Sequence, residues 1–481
     1  MGSYERLSAQ DATFLYAESP VAHMHIGTLA IFEDNGMDED RLCRHIESRL
    51  HLVPRFRKKL MWVPYGQHRP VWIDDPHFDI RFHVRYTGLR KPGGMAEACD
   101  LMERVMSTSL DRSRPLWEMW MFDLPDGQKG LIQKTHHCLI DGISGVDVGT
   151  VILDLQTDAP PAKAAPPWTP EPAPSKQELL RESLMSVVTQ PAELAQRLRK
   201  AREAPQQFLE RAGDVLQGLL ALGRATFEVA PKVDSLTQQI GAHRRFVPVS
   251  FELSRFKAIK NAHDCKINDV VLAVVAGGLR QLLMSRGESV DGLTMRAMVP
   301  VSVRDPSQRM TYGNQVSMMA ADLPVGEADP AQRLKYVSAQ MTGLKESKQA
   351  VGADFWVKLS DYAPPTILSL ASRAIAFQRM VNLTVTNVPG PQFPLYLQGG
   401  KLLAAYPFVP LVGTTTLGVA LVSYDGRLNF GLSGDWDLVP DLDTFAAGIA
   451  ASIDELAPPE PKPAKQKQAG TSNAAKSTTT S

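Results

Sequence analysis

The chain has 481 residues, 44% hydrophobic and 22% charged, the composition of an ordinary globular protein. Its 52 Lys and Arg balance 52 Asp and Glu, which argues against nucleic acid as a partner and against a polybasic membrane anchor. Cys43, Cys99, Cys138 and Cys265 are scattered without C-x-x-C spacing, so neither a zinc knuckle nor a disulfide framework is indicated. The opening MGSYERLSAQDATF lacks the apolar core of a secretion signal, and the reducing cytoplasm is the default expectation.

In chain order, Ser8 ahead of Asp11 signals a helix start before Phe14, Leu15 and Tyr16. Residues 24–32 read as a strand and 41–50 as a helix. Residues 116–122 and 130–135 read as neighbouring strands joined through the turn Pro125-Asp126-Gly127. A helix follows, with Val148, Val151, Ile152 and Leu155 on one face. Seven prolines between Pro160 and Pro174 predict an extended surface linker, and residues 175–231 look helical and charge-rich. Ile267-Asn268-Asp269 opens a helix carrying Val271, Val275, Leu279 and Leu282, and 295–303 is a strand. The low-charge stretch 402–424 is broken by Pro407, Pro410 and Gly413, so it reads as strands and turns rather than a membrane span. Residues 417–424 and 428–432 form a hairpin around Asp425-Gly426, expected as a type I′ turn. The expected division is 1–156, a Pro-rich and helical connector over 157–241, a second half over 242–456, and a disordered tail over 457–481.

The run most suggestive of chemistry is Lys134-Thr135-His136-His137-Cys138-Leu139-Ile140-Asp141-Gly142. A strand ends at two histidines, and an imidazole with a pKa near ~6.5 can act as a general base. Adjacent strand residues point to opposite faces, so one ring enters a cleft while the other supports it from behind. The same alternation makes a metal site built from both histidines awkward, and none is expected. Cys138 points away from its neighbouring ring, a poor arrangement for a nucleophile. From these residues alone, two buried histidines and an Asp-Gly turn remain an open reading beside it.

The pattern HHxxxDG, here His136, His137, Asp141 and Gly142, resembles the motif of the CoA-dependent acyltransferase superfamily. Further segments resemble the bacterial wax ester synthase/diacylglycerol acyltransferase family. They are Leu7-Ser8-Ala9-Gln10-Asp11-Ala12, Met24-His25-Ile26-Gly27, Pro115-Leu116-Trp117, Asn268-Asp269, Pro300-Val301-Ser302-Val303-Arg304, Gly313-Asn314, Asn387-Val388-Pro389-Gly390-Pro391 and Ser423-Tyr424-Asp425-Gly426. Together they span about 7–440 in order.

The resemblance implies a mixed α/β (α+β) fold of two chloramphenicol-acetyltransferase-like domains with the active site at their interface. It implies direct acyl transfer from a long-chain acyl-CoA, as co-substrate and without a bound cofactor, to diacylglycerol or a fatty alcohol. It makes His137 the general base, His136 a support, and Asp141 a loop-holding residue that pairs with an arginine, Arg304 being one candidate. Gly142 allows the tight turn. Asn268 is either an oxyanion or substrate donor or the N-cap of its helix. Pro115-Leu116-Trp117 packs under the histidine loop or walls an acyl chain. Arg55, Arg57, Lys58 and Lys59 are either CoA-phosphate contacts or a solvated helix face. Contact with a membrane or lipid-droplet surface is expected, with the apolar stripes of 175–231 facing either lipid or the protein. Two rival functions stay open: a condensation-type enzyme using a carrier-bound donor, and a non-catalytic lipid-binding homologue.

Overall fold

In the computed structural model, which describes residues 4–140, 149, 152–158, 167–185, 229–302, 316–346, 369 and 379–458, two six-stranded sheets organise the chain. The first runs in the order β12 (Tyr396–Leu397), β13 (Gly400–Phe408), β2 (His25–Glu33), β7 (Gln128–His136), β6 (Trp117–Leu124) and β5 (Val84–Tyr86). Only β5 and β6 pair in parallel. From His25 to Ile31, buried residues of β2 alternate with part-exposed ones, the period-two signature of a strand. Leu29, Ile31, Phe122 and Ile132 pack against Leu101, Met102, Val105 and Met106 of helix α3 (Met95–Ser107). On the other side, Phe32, Met119, Met121 and Leu131 share a core with Leu42 and Ile46 of α2 (Glu39–Arg49). Helix α1 (Ala9–Ala17) starts where the sequence predicts, Ser8 Oγ accepting the Asp11 N–H at 3.0 Å. A small sheet of β1 (Glu5–Arg6), β4 (Val71–Asp74) and β3 (Lys58–Met61) lies beside this half.

The second sheet runs β10 (Val316–Leu323), β9 (Met295–Ser302), β11 (Leu383–Pro389), β14 (Leu417–Tyr424), β15 (Arg427–Asp435) and β8 (Arg244–Glu252). Helix α5 (Ile267–Ser285) packs against α6 (Pro330–Glu346) and α7 (Leu442–Leu456), and is buried without interruption from Asp269 to Leu279. Among the described residues it is the one helix long and apolar enough to cross a membrane, yet 72% of that window is buried inside the fold. An all-round apolar helix in this setting is core. The predicted hairpin is present: Tyr424 pairs with Arg427, and Asp425 and Gly426 both have positive φ, as a type I′ turn requires.

The two halves are interlocked. Residues 396–408 follow β11 of the second sheet but complete the first one, Leu402–Phe408 pairing with β2. The expected C-terminal segment 242–456 therefore contributes two strands to the N-terminal half. Tyr424 Oη ties this crossing to β14, donating to the Leu402 carbonyl at 2.9 Å and accepting the Leu395 N–H at 2.8 Å. Gly431 of β15 makes the closest approach. A Cβ there would lie 1.7 Å from the Pro407 carbonyl oxygen, so only glycine fits. Along the free edge of β8, α3 supplies two acceptors: Ser107 Oγ takes the Arg244 N–H and Glu103 Oε1 the Phe246 N–H.

Two local expectations change. The helix expected to reach Leu155 stops earlier, because the Asp154 backbone pairs with Tyr396 in both directions, and Leu155 is exposed. Asn268 is not an N-cap; Lys266 is, its N–H held by the Asp269 carboxylate at 3.0 Å, and Asn268 is the second residue of α5. Of the linker, residues 167–175 lie without regular structure, Trp168 resting under Arg57 and the Glu171 N–H bonded to Asp74. Residues 459–481 lie outside the described residues.

Candidate active site

Strands β2 and β7 pair with His25 opposite His136, and β7 ends there. The chain turns directly into α4 (His137–Ile140). At this strand-to-helix boundary the two histidines have different surroundings. His136 is buried, at 1% exposure, while His137 is half-buried with its ring stacked on Phe14 at 3.9 Å and 24°. The His137 N–H donates to the Met24 carbonyl at 2.8 Å, and the His136 N–H to the Leu116 carbonyl at 3.0 Å.

Behind the histidines lies a cluster that motif reading missed. His136 Nδ1 accepts the Cys138 N–H at 3.1 Å, which leaves the ring's proton on Nε2. Nε2 in turn lies 3.1 Å from Glu18 Oε1, a short but bent contact. His25 Nε2 is 3.7 Å from the same oxygen, and His23 stacks on His25. Glu18 also accepts the Met24 N–H at 2.8 Å and is paired with Arg112. Burial pushes the Glu18 pKa up, but His136, Arg112 and His25 outweigh it and hold the carboxylate below its usual range. Burial, then Lys134 and His136, depress His25 well below an ordinary histidine despite Glu18. Ligand-capable atoms of Glu18, His25 and His136 lie within 4.8 Å of one another. A ring protonated at Nε2 presents a donor there instead of a lone pair, so the trio reads as an electrostatic support for the loop. Glu18 could have been sought as the carboxylate ending the Ser8-capped helix, but nothing local links it to β7.

Other predicted positions resolve unevenly. Asp141, Gly142, Ser144, Gly145 and Arg304 lie outside the described residues, as does 186–228. Asn268 is half-buried at the start of α5. Cys138 is fully buried, which drives its thiol pKa well up and disqualifies it as a nucleophile. Leu116 and Trp117 are buried under the histidine turn, Trp117 Nε1 donating to the Phe56 carbonyl at 2.8 Å and its ring stacking on His83. Three members of the basic group at 55–59 are ion-paired, Arg55 with Glu5, Lys58 with Asp74 and Lys59 with Asp75, while the Arg57 guanidinium lies over the Trp168 ring. Lys58 and Lys59 also sit on strand β3 and not on a helix. The segments 387–391 and 423–426 meet: the Gly390 N–H donates to Ser423 Oγ at 3.1 Å and the Asp425 N–H to the Pro391 carbonyl at 3.1 Å. Leu179 packs with Val63, Val71 and Ile73, whereas Leu184 and Met185 are exposed.

The family model described as the wax ester synthase/diacylglycerol acyltransferase catalytic domain matches residues 7–271, and the corresponding C-terminal domain matches 312–457. A probable diacylglycerol O-acyltransferase of Mycobacterium tuberculosis is 30% identical over 463 residues, 94% of this chain and 95% of that protein. A putative one of Mycobacterium bovis is 32% identical, covering 93% and 97%. The solved wax ester synthase/diacylglycerol acyltransferase from Marinobacter aquaeolei VT8 superposes with a TM-score of 0.63 at 26% identity, covering 94% of this chain and 98% of that one. The first condensation domain of the calcium-dependent antibiotic synthetase shares the fold, with a TM-score of 0.57 at 18% identity over 95% and 97%. The chain belongs to the wax ester synthase/diacylglycerol acyltransferase family.

Proposed function

We propose that this chain transfers a long-chain acyl group from acyl-CoA to the hydroxyl of diacylglycerol or a fatty alcohol, with His137 as the general base. The supporting observation is the histidine turn: one ring is anchored behind the loop, while the other is half-buried and held flat against Phe14. An imidazole so placed takes the acceptor's hydroxyl proton as that oxygen attacks the thioester carbonyl carbon. The tetrahedral oxyanion then collapses, the C–S bond breaks, and the CoA sulfur takes the proton back. General-base help of this kind contributes roughly 10²–10⁴-fold. Asn268, relieved of capping by Lys266, is the amide we assign to the oxyanion or substrate.

Both substrates are mainly hydrocarbon, and each buried methylene contributes about 0.8 kcal/mol, so apolar walls hold them. Delivery from a membrane or lipid-droplet surface follows from that chemistry, and the exposed Leu184 and Met185 suit such contact. Purified protein incubated with labelled palmitoyl-CoA and competing hexadecanol and dioleoylglycerol tests the reading directly. The expected products are wax ester, triacylglycerol or both, without any carrier protein, and His137→Ala abolishes them while leaving the fold intact. Unchanged ester formation by His137→Ala refutes the base assignment.

A further inference from the structure

Both backbone N–H groups at the start of α4 lead back to one buried oxygen. The His137 N–H is bonded to the Met24 carbonyl, and the Met24 N–H is bonded to Glu18 Oε1, each at 2.8 Å. The Cys138 N–H is bonded to His136 Nδ1, and His136 Nε2 lies 3.1 Å from the same Glu18 Oε1. The peptide groups on either side of the His137 side chain thus share a single anchor. Glu18 is also the residue that ends α1, four positions after the Phe14 that stacks on the His137 ring. One short segment therefore holds the ring by its face and the loop by its backbone.

We propose that Glu18 is a positioning residue of this active site: its carboxylate, acting through Met24 and His136, fixes the orientation of His137 toward the reacting hydroxyl. The proposal rests on the general-base reading of His137. A carboxylate is the suitable group because every neighbour presents a proton. Met24 N–H and His136 Nε2 converge on one oxygen, and Arg112 is paired with the other. Glutamine at 18 would turn an NH₂ toward one of these donors and leave it opposed inside a site where the Glu18 side chain is only 8% exposed. A base displaced by about 1 Å loses on the order of 10²-fold in rate, so the anchor acts on turnover rather than on binding.

The test compares wild type, Glu18→Gln, His136→Ala, the double variant and His137→Ala, reading kcat and KM for palmitoyl-CoA together with thermal stability. Glu18→Gln is expected to lower kcat by about 10–100-fold with KM within about threefold. Because both residues act along one chain of contacts, the double variant is expected to fall no further than the worse single variant. Multiplying losses, or a loss confined to KM, overturn the proposal. If Glu18→Gln does not fold, Glu18→Asp takes its place. It keeps the charge but withdraws the oxygen, and is expected to lose kcat at constant KM. Full activity of Glu18→Asp, or its failure to fold as well, overturns the proposal. An inactive His137→Ala beside a fully active Glu18→Gln removes the positioning role alone, whereas an active His137→Ala removes the base assignment itself.

Discussion

Glu103 links the two halves through its bond to the Phe246 N–H, and it does so as a carboxyl pushed up to about 7 from the ordinary 4.5. Burial is the main cause, and Asp100 and Asp443 add to it; the Phe246 N–H and Arg245 oppose it. The folded state therefore keeps a proton on Glu103 that the unfolded chain releases at lower pH. Its stabilising contribution is full below about 4.5 and is lost as the pH rises through about 7. At about 1.4 kcal/mol for each tenfold change in proton affinity the ceiling is roughly 3 kcal/mol, and solvent screening of a half-buried group reduces it to about 1–2 kcal/mol. Glu103→Gln keeps a carbonyl for Phe246 but cannot ionise. The variant is expected to match wild type near pH 5 and to exceed it by about 1–2 kcal/mol at pH 8. Denaturant unfolding at both pH values measures this, and the difference between the two proteins cancels every group they share. Parallel pH dependence of the two proteins, or an advantage for the variant only at pH 5, would refute the reasoning.

Other outcomes follow from packing. Trp117→Phe removes the donor to the buried Phe56 carbonyl and opens space beside His83, costing about 2–4 kcal/mol in an unfolding assay. If the ring only supports the turn, the preference between palmitoyl-CoA and octanoyl-CoA stays constant; a shifted preference makes it an acyl-chain wall. Gly431→Ala forces β15 away from the Pro407 carbonyl and is expected to cost upwards of about 3 kcal/mol, read as lost soluble protein or a lowered Tm. Gly343→Ala is the matched control, since a Cβ there meets nothing within 4 Å on an exposed stretch of α6, and it should stabilise slightly.

Much of the site was readable where its signals are local. Ser8 capping α1, the strand ending at His136, and the Asp425-Gly426 turn each depend on residues within a few positions. Local signals misled in two places for identifiable reasons. At α5 the cap falls to Lys266, because Asp269 reaches back to its N–H. At Leu155 the helical spacing continues in sequence, but the Asp154 backbone is already committed to Tyr396. The basic group at 55–59 could not be judged without its carboxylate partners, which arrive from Glu5 and from β4 and the residue after it.

The sequence by itself determined most of the element types, because side-chain periodicity is a property of the backbone that a strand or helix carries with it. Its ordered motifs also placed the chain among acyltransferases. Tertiary structure alone decided that Glu18, more than a hundred positions away, would lie against His136, and that 396–408 would complete the other half's sheet. Such meetings are set by which faces bury together, and no spacing along the chain encodes the distance between them.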